Sequence, residues 1–288
     1  MGFRTIVVKN RAKLETRLGY LIIRGDEEKW CNISEIDALI VESTGCAVTC
    51  QALLELLNAN VNVVFCNEKH MPYAGLTPFS ANYGSSGNIK TQSRWDADKK
   101  SALWRKIVSQ KIFWQMRVLE KYNEAESADM LKKYIGEITE NDATNREGHA
   151  AKVYFNSLFG VNFSRRNGGR INSALNYAYA VLMSEIARCV TASGYINALG
   201  IRHENQFNEY NLACDLMEVF RPLTDDFVIT YCKDDDFKSE ASKLLSMKIT
   251  IKKREFYLDS ACEIFVRSAL RFMKGETDEL VMVEGYAI

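Results

Sequence analysis

Along the first quarter of the chain, apolar and β-branched residues alternate with polar ones at the period of strands. Residues 3–8, 13–18, 20–23 and 38–41 read as strands. Turn signals at Lys9-Asn10, Arg24-Gly25-Asp26 and Gly45 separate them. A helix over 49–59 interrupts, with Leu53, Leu54, Leu56 and Leu57 on its apolar face and Thr49 as its cap. Residues 61–65 read as a buried strand. Between 71 and 94 the pattern lapses: Pro72, Pro78 and the run Tyr83-Gly84-Ser85-Ser86-Gly87 predict a linker or mobile loop. From Trp95 onward the apolar spacing is helical, with helices predicted over 96–122, 127–138, 143–159, 172–193, 208–220, 239–247 and 258–273. The pattern predicts an α+β fold: a small β-rich domain over 1–77, a linker over 78–94, and a larger all-α domain over 95–288.

Composition narrows the class. At 288 residues with 47% hydrophobic and 26% charged residues, the chain can bury an ample core, which excludes a disordered or fibrous protein. No apolar run approaches the roughly 20 residues that cross a bilayer, so no membrane association is expected. The first residues read as a strand rather than a signal peptide, and Ile6 stands where a myristoylation motif needs Ser or Thr. The eight cysteines, Cys31, Cys46, Cys50, Cys66, Cys189, Cys214, Cys232 and Cys262, lack zinc-site spacing and read as buried, reduced thiols, which points to a cytoplasmic location. With 37 basic and 37 acidic residues the net charge is zero, so nucleic acid would have to be held by a local basic surface.

Candidate chemistry lies in two segments. In the first, Glu147, Ala151, Tyr154 and Leu158 share one helical face that packs, which places a carboxylate near the interior, where it needs a cation, a metal or a proton. The plainer reading is an acid in a first helical turn, favoured by the dipole. In the second, His203 precedes a helix on which Asn211, Asp215 and Glu218 form one stripe. Two carboxylates one turn apart repel unless a cation lies between them; the plainer reading is a solvated face and a structural histidine. Together they offer one imidazole and two or three carboxylates, a donor set suited to Mg²⁺ or Mn²⁺ and to metal-assisted phosphoryl transfer. Arg165, Arg166 and Arg170 surround Asn167-Gly168-Gly169, and Lys248, Lys252, Lys253 and Arg254 form a second basic cluster on an extended segment. Both are candidates for DNA phosphate contacts, against the usual reading of a solvated charge run.

Four stretches, in this order, resemble the CRISPR-associated integrases of spacer acquisition. They are Glu147-Gly148-His149-Ala150-Ala151 with Tyr154-Phe155; Ile171-Asn172-Ser173-Ala174-Leu175-Asn176-Tyr177-Ala178-Tyr179; Gly200-Ile201-Arg202-His203; and Asp215-Leu216-Met217-Glu218-Val219-Phe220-Arg221-Pro222. The branch found with single-effector RNA-guided nucleases is the most similar. The resemblance implies a β-sandwich-like N-terminal domain that dimerises and a helical catalytic domain. It implies metal ligands at Glu147, His203 and Glu218, with Asp215 as the accompanying acid, and leaves His149 as a substrate contact or a packed helix residue. Some members carry Asp where Glu218 stands. It also implies a homodimer. Two such dimers would flank a dimer of the small second universal acquisition protein, a hetero-hexamer that inserts a short double-stranded DNA segment at a repeat. The reaction implied is transesterification by a 3′-hydroxyl, with associated endonuclease activity. A purely hydrolytic metal-dependent nuclease and a DNA-binding scaffold with a degenerate site remain the alternative readings of the same residues.

Overall fold

The structure, a computed structural model, describes residues 4–68, 72–76, 78, 85–232, 237–241 and 243–287. The chain opens with strands β1 (Arg4–Val8), β2 (Lys13–Arg17), β3 (Tyr20–Arg24), β4 (Glu28–Asn32), β5 (Ile36–Val41) and β6 (Ala47–Val48). Helix α1 (Cys50–Asn58), β7 (Asn62–Cys66) and β8 (Pro72–Leu76) follow. They form two four-stranded sheets, ordered β1-β5-β7-β8 and β4-β3-β2-β6. The β2–β3 hairpin turns through Leu18 and Gly19, both at positive φ, the backbone twist that a two-residue hairpin loop needs. Thr49 caps α1 as the sequence predicts, its hydroxyl accepting from the Ala52 amide at 3.2 Å.

One strand explains how the β-rich part meets the rest. β5 reads IDALIV, an apolar run rather than an alternation, because it lies between parallel neighbours and is covered on both faces. Leu39, Val41 and Val63 face the core between the sheets, with Leu14, Leu21 and Leu56. Ala38, Ile40 and Val64 join the larger core of the helices.

The helices are α2 (Ser85–Gln92), α3 (Ala97–Lys121), α4 (Ala125–Gly136), α5 (Arg146–Phe159), α6 (Arg170–Ala192), α7 (Asn211–Met217), α8 (Arg221–Tyr231), α9 (Phe237–Ala241) and α10 (Leu258–Lys274). Three predictions are corrected here. The expected linker is partly built: β8 pairs with β7, and α2 carries Gln92, whose buried side chain donates to the Ile196 and Leu199 carbonyls and accepts from the Ile196 amide. Residues 79–84 lie outside the described ones. Beyond the helix predicted over 208–220, for which the sequence offers no successor before 239, the chain forms α8, with Pro222 in its first turn, where no amide hydrogen is needed. The helical region also holds a three-stranded sheet of β9 (Lys248–Ile251), β10 (Arg254–Tyr257) and β11 (Gly285–Ala287), ordered β10-β9-β11. No helix among the described residues is long and apolar enough to cross a membrane. All eight cysteines are free thiols, but only Cys66, Cys189, Cys232 and Cys262 are buried; Cys50 is exposed.

Where β5 meets α10, Asp37 hydrogen-bonds to Asp259 with Glu185 and Arg188 of α6 nearby. Burial, the Asp259 contact and the Glu185 charge push the Asp37 carboxyl up to about 8, so at neutral pH it keeps a proton. An unfolded aspartate titrates near its ordinary value of about 3.9. The folded chain therefore holds one proton more between about pH 4 and 8, and this stabilisation is complete below that window and gone above it. The urea midpoint should fall between pH 6 and 9, and Asp37→Asn should flatten the fall. An undiminished slope in the variant would move its cause elsewhere.

Candidate active site

The floor is α3. Its capping residue Asp96 accepts from the Lys99 amide at 3.0 Å, and Trp104 and Lys111, two turns apart, point to the same side. The N-terminus of α5 forms one wall. Buried Asp142 fixes it, accepting from the amides of Arg146 at 2.8 Å and Glu147 at 3.0 Å. Asn141, Asp142 and Asn145 sit at positive φ, which aims the chain into this helix start. Glu147 lies in the first turn with its side chain about a quarter exposed.

The opposite wall is the stripe Asn211, Asp215, Glu218. It does not face solvent: the three residues are 3%, 0% and 3% exposed. Asn211 ties down the loop before it, donating to the Ala198 and Asn205 carbonyls at 3.0 Å each. Asp215 organises the His203 loop. One carboxylate oxygen accepts from the amides of Ile201 (2.6 Å) and Arg202 (2.9 Å). The other accepts from the His203 amide (3.1 Å) and lies 2.6 Å from His203 Nδ1. Gly200 permits this wrapping, since a β-carbon there would sit 2.3 Å from the His203 carbonyl and 2.8 Å from Asp215 Oδ2. The His203 ring meets Trp104 edge-on at 6.0 Å.

Electrostatics joins the walls. Lys111 Nζ lies 2.6 Å from Glu147 Oε1 and 2.5 Å from Glu218 Oε2. Arg221 Nη1 holds the other oxygen of Glu218 at 2.5 Å, and its guanidinium lies over the Tyr179 ring at 4.3 Å. Burial would raise the Glu218 carboxyl, but Arg221 and Lys111 outweigh it and hold the group below the usual carboxylate range. The Asp215 hydrogen bond raises the His203 pKa against the opposing pull of burial, and the charges of Glu218 and Glu147 act in the same direction. Asp215 engages Nδ1, so Nε2 is the nitrogen left for a ligand. Among the described residues, no three His, Cys, Asp or Glu side chains close on one point. Two carboxylates instead close on an ammonium, with a half-exposed imidazole beside them. Two acids and one imidazole are a donor set that fits a hard divalent cation.

The basic candidates divide. Arg165 turns inward, donating to Asn172 and to Asn176 (2.6 Å), with its guanidinium against the rings of Tyr179 and Phe155. It braces the loop, whereas Arg166 is exposed on it and Arg170, exposed at the start of α6, donates to the Cys232 carbonyl at 3.3 Å. Lys252 and Lys253, both at positive φ, form the tip of the β9–β10 hairpin, with Arg254 beginning β10. They stand on different elements from the carboxylates. His149 is exposed, 6.4 Å from the Tyr134 ring. The sequence reading missed Lys111, Arg221 and Asp142. A signal existed for Lys111, a lysine four residues after Ile107 on the buried stripe of α3.

Residues 5–256 match the sequence profile of the family described as CRISPR associated protein Cas1. The chain belongs to the Cas1 family. It is 31% identical to a CRISPR-associated endonuclease Cas1 of Neisseria meningitidis serogroup C (strain 8013), over 97% of this chain and 94% of that one. The fold resembles that of a casposase bound to integration product, with a TM-score of 0.77, 18% identity, and coverage of 97% and 92% of the two chains. It also resembles a chain of a Cas6-RT-Cas1–Cas2 complex, with a TM-score of 0.71, 17% identity, and coverage of 97% of this chain and 36% of that one. The β-then-helical layout predicted from the sequence is thus a Cas1 layout.

Proposed function

We propose that this Cas1 protein is the DNA endonuclease and integrase of CRISPR spacer acquisition, working as a divalent-metal-dependent strand transferase. The supporting observation is the convergence of Glu147 and Glu218 on a single cation position beside an imidazole whose Nδ1 is committed to Asp215. Glu147, Glu218 and His203 Nε2 would hold Mg²⁺ or Mn²⁺. When bound, such an ion supplies Lewis acidity to phosphodiester oxygens. The protein's part is placement. Asp215 holds the imidazole in one tautomer and orientation. Arg221 fixes the Glu218 carboxylate, and the exposed Arg166 and Arg170 bind backbone phosphates.

In the reaction, a 3′-hydroxyl of the incoming DNA forms a new bond to a repeat phosphorus as the strand 3′-oxygen leaves. Bond count is conserved, so no protein nucleophile is required. The protein acts in the cytoplasm as a homodimer, with two dimers on a dimer of a Cas2-type partner. Its likeness in fold to a chain of a Cas1–Cas2 complex supports such a partner.

A branched DNA substrate tests the reading. Joined strands should form with Mn²⁺ or Mg²⁺ and none with chelator; nicks without joining, or full joining in chelator, would overturn it. In the phosphate-binding loop, replacing Arg166 and Arg170 by Ala should flatten the plot of log affinity against log salt by about 0.9 for each duplex phosphate that is no longer neutralised. An unchanged slope would remove the loop from the DNA interface.

A further inference from the structure

Lys111 sits where the reaction needs a divalent ion. Its side chain is 9% exposed, and its ammonium contacts both carboxylates expected to hold the metal. Glu218 has no free oxygen, with Arg221 on Oε1 and Lys111 on Oε2. A cation bound between Glu147 and Glu218 would meet the Lys111 ammonium, which lies within 2.6 Å of both carboxylates. Arg221 is braced by its position over the Tyr179 ring, with Asp225 acting on it electrostatically. Lys111 hangs on a flexible four-carbon stem and can move.

One turn further along α3 lies an acceptor for it. Gln115 is 2% exposed, and its Oε1 is buried with no hydrogen-bond partner. Side chains on a helix lean toward its N-terminus, so a residue at i+4 lies over the turn that carries residue i. A buried amide oxygen left without a donor is costly, and an arriving ammonium would satisfy it.

We propose that Lys111 is a resident counter-ion that holds the Glu147–Glu218 pair together before metal loading and cedes the position to the divalent ion, its ammonium moving to Gln115 Oε1. It is a positioning residue that competes with the metal, and the inference rests on the metal-site reading above. Without it, Glu147 and the buried Glu218 would face each other with only Arg221, on the far oxygen of Glu218, to offset their charge.

Calorimetric titration of the DNA-free protein with Mn²⁺ tests this. Lys111→Met should bind Mn²⁺ more tightly than the unsubstituted protein, by about ten-fold. Its melting temperature should be lower without metal and rise further on Mn²⁺ addition. Gln115→Met keeps Lys111 but removes its destination, so it should weaken Mn²⁺ binding several-fold while leaving the metal-free carboxylate contacts in place. This second variant decides the matter if Lys111→Met does not fold. Equal or weaker binding by Lys111→Met, or unchanged binding by Gln115→Met, overturns the proposal. Absence of Mn²⁺ binding in the unsubstituted protein and both variants would instead sink the metal-site reading.

Discussion

Replacing Glu147 by Ala should reduce strand transfer by on the order of 10³-fold or more, a loss comparable to or larger than that of one preorganised electrostatic contact to the reacting phosphate. The substitution removes one of the two carboxylates that meet at the cation position, and no neighbouring acid can replace it: Asp142 is committed to the α5 amides and Asp215 to the His203 loop. Stability should change little. The Glu147 side chain is about a quarter exposed, and Lys111 keeps its contact with Glu218. The combination to look for is therefore an intact melting transition with abolished joining of a branched substrate. Glu147→Gln should fail similarly, because the amide keeps the shape but loses the charge. Retention of more than a tenth of the joining rate in either variant would place the chemistry elsewhere.

Asp215→Asn should damage both fold and reaction. The aspartate accepts from three amides and lies against the His203 ring while fully buried. An asparagine has one acceptor oxygen, and its NH₂ group would point at donors. Leaving buried amides without acceptors beside an uncompensated amide donor should cost about 3 kcal/mol. The cost should appear as a lower urea midpoint. Joining should fall by roughly 10–100-fold beyond any loss of folded protein, because the imidazole is no longer held in one orientation. A variant that melts normally and joins normally would show that the His203 loop is held by other contacts.

The contrast between these residues shows what a sequence can disclose. Periodicity located most helices and the apolar strand β5, because burial on one or both faces writes itself into residue spacing. The carboxylate stripe of α7 was visible as a stripe, but spacing is the same for a wet face and a dry one. The packing of α3, α6 and the 198–205 loop against it makes the face dry. Short strands such as β4 (EKWCN) carry half-exposed, charged sequences without a clean alternation, and β11 lies in a segment with no helical or strand signature. The structured part of the 71–94 segment was concealed by prolines and glycines that suit both a loop and a docked turn. Lys111 was hidden for a different reason. A lone cation on an apolar stripe reads as an exception until its two partners, 36 and 107 positions away in sequence, are folded against it.

The strand β5, covered on both sides, sets how this molecule comes apart. Peeling the sandwich from the helices would wet Ala38, Ile40 and Val64, and opening the sandwich would wet Leu39, Val41 and Val63. Neither half can shed its neighbour without baring an apolar wall of its own sheet. The two portions should therefore unfold together, and a fragment cut between them would carry a sticky face in place of a seam.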